Sequence, residues 1–390
     1  MRYLIVGGGM TADAAVRGIG SADPEGEVTV IGREEHPPYD RPPLSKSLWT
    51  GMDEDRIWRG TETLERTEVL TGRSVVNLDP DGAEVEDDRR ERHGYDALLL
   101  ATGADPIRLP GTDEGVVYFR TLDDYRRLRS HAGKGANIAV LGGGFIGTEL
   151  ASALLDHGAE VTLFFLEHAP LGALLPPNRA RRLLESFQRR GAQVHPEVEV
   201  HSVVPGDDGF QVLSKEGPSR GPFDLVVAGL GVRPNVGLAR DAGLEVEDGI
   251  VVDPSFRTSA PRIFAAGDVA AFPFPVSGRR VRVEHEDHAN QSGVMAGRAM
   301  AGEAEPYDHL PFFYSQVLGT PYEALGITDP EMEVVEVGGD DRFVVYFRSA
   351  GRVQGILLWN LRGRMREARR VFRLEGELPP HQLRERIDPE

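Results

Sequence analysis

Short continuous runs of apolar residues, each followed by glycine, mark the first part of the chain. Residues 2–6 and 28–31 are such runs and predict two buried strands. Between them stand a glycine-rich stretch at 7–12 and an alanine-rich stretch that predicts a helix to about residue 19. Uniformly apolar strands that alternate with helices are typical of parallel sheets covered on both faces. The pattern therefore predicts a βαβ unit.

The same order returns in the middle of the chain. Residues 138–141 and 161–165 predict strands, and between them lie a glycine-rich loop at 142–147 and a helix to about residue 157. A second pair of segments also matches, because 96–103 resembles 224–231. These repeats predict two nucleotide-binding units in tandem.

The last eighty or so residues have a different pattern. Residues 333–337, 342–348 and 353–361 predict antiparallel strands separated by turn residues. An arginine-rich helix at 363–373 follows, and we expect the proline-rich tail from residue 376 to be loosely ordered. The predicted fold class is α/β, with two Rossmann-like domains and a C-terminal α+β domain. The predicted domains are an FAD domain at 1–108 and 234–308, an NAD(H) domain at 109–233 and a C-terminal domain at 309–390.

Composition removes several classes of protein. The 390 residues include no cysteine, which excludes disulfides, thiolate nucleophiles and Cys-ligated metal clusters. The formal net charge of −18 argues against a general nucleic-acid binder, because the field would repel phosphate. No apolar run approaches the roughly 18 residues that would cross a bilayer. We expect a cytoplasmic protein with no membrane span and no nucleic-acid partner.

The glycine loops have the spacing that holds a dinucleotide. In such a loop the first glycine makes a tight turn, the second lets the backbone approach a pyrophosphate, and the third allows close packing of helix on strand. The helix N-terminus then offers N–H groups to the phosphates. The alternative is a pair of ordinary glycine-rich turns. The loop residues are Gly7, Gly9 and Ala12 in the first copy, and Gly142, Gly144, Phe145, Ile146 and Gly147 in the second.

An acidic residue follows the second strand of each unit. Glu34 and Glu167 are placed to accept hydrogen bonds from ribose hydroxyls. Glu167 would also repel a 2′-phosphate, which favours NADH over NADPH. Three arginines further on form either an exposed helix face, which we favour, or a 2′-phosphate clamp; they are Arg179, Arg181 and Arg182.

Two dinucleotide sites suggest one fixed flavin and one exchanging nicotinamide. Residues 263–268 support FAD, because a strand there ends in Gly267 and Asp268, and that carboxylate could bind a ribitol hydroxyl. A plain β-turn is the alternative for this segment.

Several motifs together resemble one known superfamily. Residues 39–46 (Tyr-Asp-Arg-Pro-Pro-Leu-Ser-Lys), 101–103 and 267–268, with the two glycine loops, resemble the FAD-dependent pyridine nucleotide–disulfide oxidoreductases, in their ferredoxin reductase branch. The C-terminal third resembles apoptosis-inducing factor, through residues 281–289, 322–326 and 355–360. The resemblance covers nearly the whole chain.

The resemblance implies roles for individual residues. Arg41 would neutralise the FAD pyrophosphate, Lys46 would lie beside the flavin N5/O4 edge and pair with Glu149, and Phe145 would act as a gate between flavin and nicotinamide. These residues otherwise allow plainer interpretations, such as Phe145 in an ordinary core. The resemblance also implies FAD contacts for Val75, Ala101, Thr102, Gly103, Glu284, His285 and Tyr314, and an NAD contact for Gly231. Tyr314 stands where the apoptosis-inducing-factor pattern has tryptophan.

Two charged clusters remain. The acidic and histidine residues at 284–288 allow a metal interpretation, but their spacing differs from that of zinc proteases, and we expect no metal. The arginines of 363–373 could bind an acidic electron carrier or nucleic acid; we favour a solvated helix face over both.

The sequence therefore predicts an FAD-dependent NADH oxidoreductase that passes electrons to an external acceptor, such as a small ferredoxin-type protein or a quinone. The alternative, implied by the resemblance to apoptosis-inducing factor, is an NADH-sensing switch with slow turnover, a stable charge-transfer complex and NADH-linked dimerisation. A flavin monooxygenase is disfavoured by the 39–46 segment and the C-terminal domain. Whether the chain forms a homodimer is left open.

Overall fold

The computed structural model describes residues 1–111, 114–374 and 376–389. The chain forms two compact units. Unit 1 comprises Met1–Arg41, Asp53–Asp105 and Arg233–Pro311, and unit 2 comprises Pro42–Met52, Pro106–Val232 and Phe312–Glu390. The three-domain division stays a proposal beside this grouping.

The described residues contain twenty-seven strands and eight α-helices. The strands are β1 (Arg2–Val6), β2 (Glu27–Ile31), β3 (Thr67–Leu70), β4 (Val75–Asp79), β5 (Glu84–Asp87), β6 (Arg92–Gly94), β7 (Ala97–Leu100), β8 (Ala104–Pro106), β9 (Val116–Tyr118), β10 (Asn137–Leu141), β11 (Glu160–Phe164), β12 (Gln193–His195), β13 (Val200–Gly206), β14 (Gly209–Ser214), β15 (Arg220–Phe223), β16 (Leu225–Ala228), β17 (Val232–Pro234), β18 (Val246–Glu247), β19 (Gly249–Val251), β20 (Ile263–Ala265), β21 (Ala270–Pro273), β22 (Arg280–Val281), β23 (Phe312–Val317), β24 (Thr320–Gly326), β25 (Glu333–Gly338), β26 (Phe343–Ser349) and β27 (Arg352–Trp359). The helices are α1 (Met10–Ala22), α2 (Leu122–His131), α3 (Phe145–Asp156), α4 (Pro177–Arg189), α5 (Gly237–Asp241), α6 (Glu286–Met300), α7 (Met365–Phe372) and α8 (Pro380–Leu383).

Unit 1 is built on a five-stranded parallel sheet with the order β20-β7-β1-β2-β3. Its central strand β1 pairs Tyr3 with Val28 of β2 on one side and with Ala97 of β7 on the other. The core lies where β1, β2 and β7 pack against α1, and buried aliphatic side chains fill it. The first predicted βαβ unit is therefore confirmed, with strand ends within one residue of the prediction.

Unit 2 contains a second parallel sheet, with the order β12-β11-β10-β16-β9. Its strand β10 pairs Ile138 with both Val161 and Leu225, as β1 pairs with β2 and β7 in the first sheet. The similar segments at 96–103 and 224–231 thus supply equivalent strands, β7 and β16. This repeat confirms the predicted α/β class.

The C-terminal residues form a five-stranded antiparallel sheet with the order β23-β24-β27-β26-β25. The predicted strands lie where expected, and α7 packs on β24 and β27. The predicted loose tail is wrong, because Leu378, Leu383 and Ile387 are buried. Three apolar side chains spaced along a proline-rich stretch anchor it, since burying each removes apolar surface from water.

Helices α1 and α6 of unit 1 approach each other through glycines. A Cβ built at Gly18 would lie 2.3 Å from the carbonyl oxygen of Val294, which belongs to α6. Gly20 also lies in α1, and no atom of the described chain falls within 4 Å of a Cβ built there. Helix α1 therefore contains one glycine, Gly18, that close packing requires, and another, Gly20, that close packing does not require.

We expect Gly18→Ala to lower the free energy of unfolding by about 1–3 kcal/mol, because a helix backbone cannot retreat from the added methyl group without repacking. Gly20→Ala is the matched control and should raise stability by about 0.5–1 kcal/mol, since alanine loses less backbone entropy in a helix. Urea unfolding of both variants measures the difference. Equal effects would contradict the close packing of α1 on α6.

Candidate functional site

In the first glycine loop, one glycine has no room for a side chain and another has empty space beside it. Gly7 has φ +124°, and a Cβ there would lie 2.0 Å from the carbonyl oxygen of Ala101. At Gly9, which precedes the first residue of α1, an added Cβ would meet no described atom within 4 Å. Ala12 is fully buried. The open space beside Gly9, at the N-terminus of a helix, fits a pyrophosphate, which such a terminus binds through its backbone N–H groups.

The second loop repeats this geometry in unit 2. Gly142 has φ +111°, and a Cβ there would lie 2.2 Å from the carbonyl oxygen of Gly229. A Cβ at Gly147 would lie 1.9 Å from the oxygen of Gly142, and Gly144 is open like Gly9. Ile146 packs beside Gly229 in the first turn of α3. The third glycine is therefore needed for packing in this copy, whereas Ala12 occupies the equivalent position in the first copy and is buried.

Glu34 and Arg41, which we assigned separately to ribose and pyrophosphate, lie together in unit 1. The Glu34 carboxylate accepts hydrogen bonds from Arg41 and from the Tyr39 hydroxyl, the latter at 2.6 Å. The Arg41 guanidinium also lies over the Tyr39 ring, 5.2 Å from its centroid. Burial disfavours the charged guanidinium, but Tyr39 and Glu34 hold the pKa of Arg41 above its usual value. Tyr39 has no role in the sequence prediction beyond its place in the 39–46 motif.

Two short segments meet near the ends of the first sheet. Gly267 has φ +74°, donates its N–H to the Ser292 hydroxyl at 3.0 Å and leaves no room for a Cβ beside Thr11. Asp268, the next residue, is half-buried. Thr11 and Ser292 were missed by the sequence prediction, because a single hydroxyl within a helix carries no pattern of its own.

The Ala101–Thr102–Gly103 segment ends strand β7. Ala101 is buried, and Thr102 exchanges two hydrogen bonds with Asn235, from its hydroxyl to the Asn235 carbonyl at 2.9 Å and from the Asn235 amide to its carbonyl at 3.0 Å. Gly103 has φ +65°. Val75 is half-buried at the start of β4 and packs against the same core.

Glu284 and His285 stand just before α6. The Glu284 carboxylate accepts a hydrogen bond from Arg282 at 2.5 Å. His285 is the N-cap residue of α6. Burial lowers the pKa of His285 to about 4. Burial also lowers the pKa of His288 to about 3, and its ring stacks on Phe272 at 4.5 Å. Both imidazoles are therefore neutral near pH 7.

One group among the described residues has the spacing of a metal site, and it lies elsewhere in unit 1. Asp87, Glu91 and His93 converge on the β5–β6 hairpin. Arg73 donates hydrogen bonds to Asp87 at 3.0 Å and to Glu91. The guanidinium already compensates these carboxylates, so the cluster works as an ion-pair network.

The Glu149 carboxylate is the most completely compensated buried charge in unit 2. Its side chain is 3% exposed, and the Lys46 ammonium lies 2.8 Å from Oε1 and 2.9 Å from Oε2. Two hydroxyls also donate to it, Ser45 at 2.5 Å and Ser315. A buried carboxylate without such donors would cost several kcal/mol. The structure thus brings Lys46 and Glu149 together and adds Ser315, which no sequence pattern indicated.

Aromatic side chains stand at the start of α3. Phe145, the first residue of this helix, is 37% exposed, and its ring lies 4.8 Å from that of Phe313. Tyr314, the next residue along β23, is 46% exposed. An ordinary core position for Phe145 does not fit this exposure.

The residues expected near the ribose of a nicotinamide cofactor lie beyond β11. Glu167, expected at the ribose, is exposed. Gly231, the other expected NAD contact, follows β16 instead; it has φ +90° and accepts a hydrogen bond from the Ile107 N–H at 2.9 Å. The guanidinium of Arg179 pairs with Glu336 at 2.8 Å, and Arg182 pairs with Asp340 at 2.5 Å. Arg181 and Arg182 are exposed on α4, as favoured above. The Arg179 side chain is only 10% exposed and lies over the Phe343 ring, so an exposed position is wrong for Arg179.

Two parallel sheets, each with a glycine loop at a helix N-terminus, define a protein that binds two dinucleotides. Comparison with known families gives the particular assignment. Residues 1–293 match the family described as pyridine nucleotide-disulphide oxidoreductase, and the chain belongs to this family. It is an NAD(P)H-dependent flavoprotein oxidoreductase, as predicted.

Individual relatives cover nearly the whole chain. The ferredoxin–NAD(+) reductase component of a 3-phenylpropionate/cinnamic acid dioxygenase from Photorhabdus laumondii is 30% identical over 379 residues, 95% of each chain. Apoptosis-inducing factor 1 from Dictyostelium discoideum is 30% identical over 412 residues, which cover 94% of this chain and 77% of that protein. The reductase chain in a solved covalent complex of putidaredoxin reductase and putidaredoxin is 26% identical, with a TM-score of 0.89 over 95% of this chain and 92% of that one. These similarities confirm the predicted branch of the superfamily.

No helix among the described residues is long and apolar enough to span a membrane.

In the second glycine loop, we expect one glycine to be needed for folding and another for binding the cofactor. Gly144→Ala should raise the Kd for NADH about tenfold or more while leaving stability unchanged, because its methyl group enters only the open space above the helix N-terminus. Gly142→Ala is the matched variant and should lower stability, since its methyl group would meet a strand carbonyl. NADH titration and urea unfolding of both variants measure this. A destabilised Gly144→Ala variant with normal NADH affinity would contradict the assignment.

Proposed function

We propose that this chain is an NADH-dependent reductase that uses bound FAD to pass electrons to a small ferredoxin-type protein. The observation that carries the proposal is the buried Lys46–Glu149 pair in a chain without cysteine. A chain without thiols has no internal disulfide to receive electrons, so the acceptor must come from outside. The Photorhabdus relative and the putidaredoxin complex support a redox protein as that acceptor.

Unit 1 fits FAD. The open backbone at Gly9 would face the pyrophosphate, and Arg41 and Asp268 would approach the phosphates and the ribitol chain. Glu34 would accept from the ribose while it also holds Arg41. When bound, FAD supplies the ring that accepts a hydride from NADH and releases its electrons to the acceptor.

Unit 2 fits NADH. Gly144 would face the pyrophosphate and Glu167 the ribose. The exposed Glu167 carboxylate disfavours a 2′-phosphate. Of the three arginines that could offset this, Arg179 and Arg182 are already paired with carboxylates, whereas Arg181 is exposed. These ion pairs support NADH over NADPH.

Lys46 would act at the reacting edge of the flavin, where the resemblance places it. Its ammonium supplies a positive charge where negative charge develops, and Glu149 holds that ammonium in one position. Ser45 and Ser315 fix the carboxylate in turn. Phe145 would gate access to the flavin, in keeping with its partial exposure.

A second candidate is the NADH-sensing switch that the resemblance to apoptosis-inducing factor implies. The Dictyostelium relative supports it through a similarity that covers 94% of this chain, although the Photorhabdus reductase component covers as much. Tyr314 departs from that pattern, which argues against a nicotinamide complex as long-lived as the one the resemblance implies. A cytoplasmic location and a homodimer stay predictions.

Measuring the turnover rate and the molecular mass of the protein in solution distinguishes the reductase from the NADH-sensing switch. With NADH under anaerobic conditions, we expect the flavin absorbance near about 450 nm to bleach, and an acidic [2Fe–2S] ferredoxin to be reduced at many turnovers per minute. Sedimentation with and without NADH should show unchanged mass. Slow turnover with NADH-linked dimerisation would overturn the reductase in favour of the switch.

Lys46→Ala should slow flavin reduction by NADH about tenfold or more, because it removes a charge from the reacting edge. FAD content should stay near one per chain, since Lys46 is not assigned to the phosphates. Stopped-flow absorbance and the flavin-to-protein ratio measure the two quantities. Lys215→Ala, which removes an exposed ion pair with Glu199, is the control and should change neither. An equal loss of the flavin reduction rate and of the FAD content in Lys46→Ala would refute the proposed role of Lys46.

A further inference from the structure

Helix α7 has an apolar side and a basic side. Ala368 and Val371 are buried against the C-terminal sheet. Arg366 and Arg370 are exposed, and Arg373, just beyond the helix, is exposed as well. Spacings of four and three residues place these arginines on one face, because such residues are neighbours on a helix surface. We call Arg366, Arg370 and Arg373 the arginine face.

The arginine face is not neutralised within the described part of the chain. Of the other two arginines of this helix region, Arg364 pairs with Glu367 and Arg369 lies over the Phe312 ring. By contrast, no described carboxylate lies within ion-pair distance of the arginine face, although the chain carries 62 acidic residues against 44 basic ones. Three exposed cations without a described ion-pair partner make this patch locally positive on a chain whose net charge is −18.

We propose that the arginine face is the docking surface for the acidic electron carrier. This inference rests on the proposed function and names where its partner binds. Charge complementarity selects the occupant: an acidic patch on a compact protein can meet three arginines without approaching the remaining surface. Guanidinium groups suit this task, since they bind carboxylates bidentately and are enriched at interfaces.

The size of the patch argues against an extended polyanion. From residue 366 to residue 373 the helix advances about 10 Å, at 1.5 Å per residue. A nucleic acid carries charge over a much greater length and would meet the repulsion of a chain with a net charge of −18 on either side of the patch. A small acidic protein is the occupant that this geometry favours.

The test compares two charge reversals of equal size in the full-length holoprotein. Arg366→Glu with Arg370→Glu changes the arginine face, and Arg181→Glu with Arg189→Glu changes exposed positions on α4. The probe is an acidic [2Fe–2S] ferredoxin, and its Kd is measured by calorimetry and its KM by NADH-dependent reduction. A neutral quinone serves as an acceptor that needs no protein docking. Arg366→Gln with Arg370→Gln replaces the reversal if that variant fails to fold.

We expect the α7 reversal to raise Kd and KM for ferredoxin at least tenfold and to weaken their dependence on salt. The α4 reversal should change them less than threefold, and quinone reduction should be similar in all proteins. Equal effects of the two reversals, or wild-type protein that binds DNA or anionic vesicles at the arginine face but not ferredoxin, would overturn the docking surface. Ferredoxin that binds to the arginine face without being reduced would leave the docking surface standing and refute the proposed function.

Discussion

Both parallel sheets depend on one backbone contact, in which a glycine lies against the carbonyl group that ends the neighbouring strand. At Gly7 that group belongs to Ala101, and at Gly142 it belongs to Gly229. A strand carbonyl cannot move aside without disturbing its parallel register, so any side chain at these positions would push the loop outward. The contact fixes where α1 and α3 begin. It therefore directs their N-terminal N–H groups over the carboxyl ends of the strands, where open α/β sheets bind ligands.

A second constraint comes from the buried carboxylate of Glu149. Its charge requires donors, and those donors come from distant parts of the sequence: Ser45 and Lys46 from one segment and Ser315 from β23. Satisfying one side chain thus joins three stretches of chain around α3. Together with the packing of Trp49 on Tyr125 and His157, it groups residues 42–52 with unit 2 although the residues on either side of them belong to unit 1.

The sequence predicted what has a local period or a fixed spacing. Strands β1, β2, β10 and β11, both glycine loops and the C-terminal strands β25, β26 and β27 have such signals, whereas β23 and β24 were not predicted. Contacts between isolated polar residues have none: the pairing of Arg41 with Glu34 depends on how a turn folds back, and Ser315 could not be linked to Glu149 across 166 residues. The tail failed for a related reason, because prolines suggested disorder while three spaced apolar residues determined its packing.

The distribution of charge on the chain can be related to its need for an external electron acceptor. A chain with no cysteine must hand its electrons to an outside acceptor. If that acceptor is an acidic protein, a net charge of −18 repels it over most orientations, and productive encounter requires a place where the sign reverses. Arginines spread evenly would be cancelled by neighbouring carboxylates, as Arg179 and Arg182 are by Glu336 and Asp340. If the arginine face receives the carrier, three exposed arginines on one short helix favour one orientation of an acidic partner on an acidic reductase, so the net repulsion contributes to specificity.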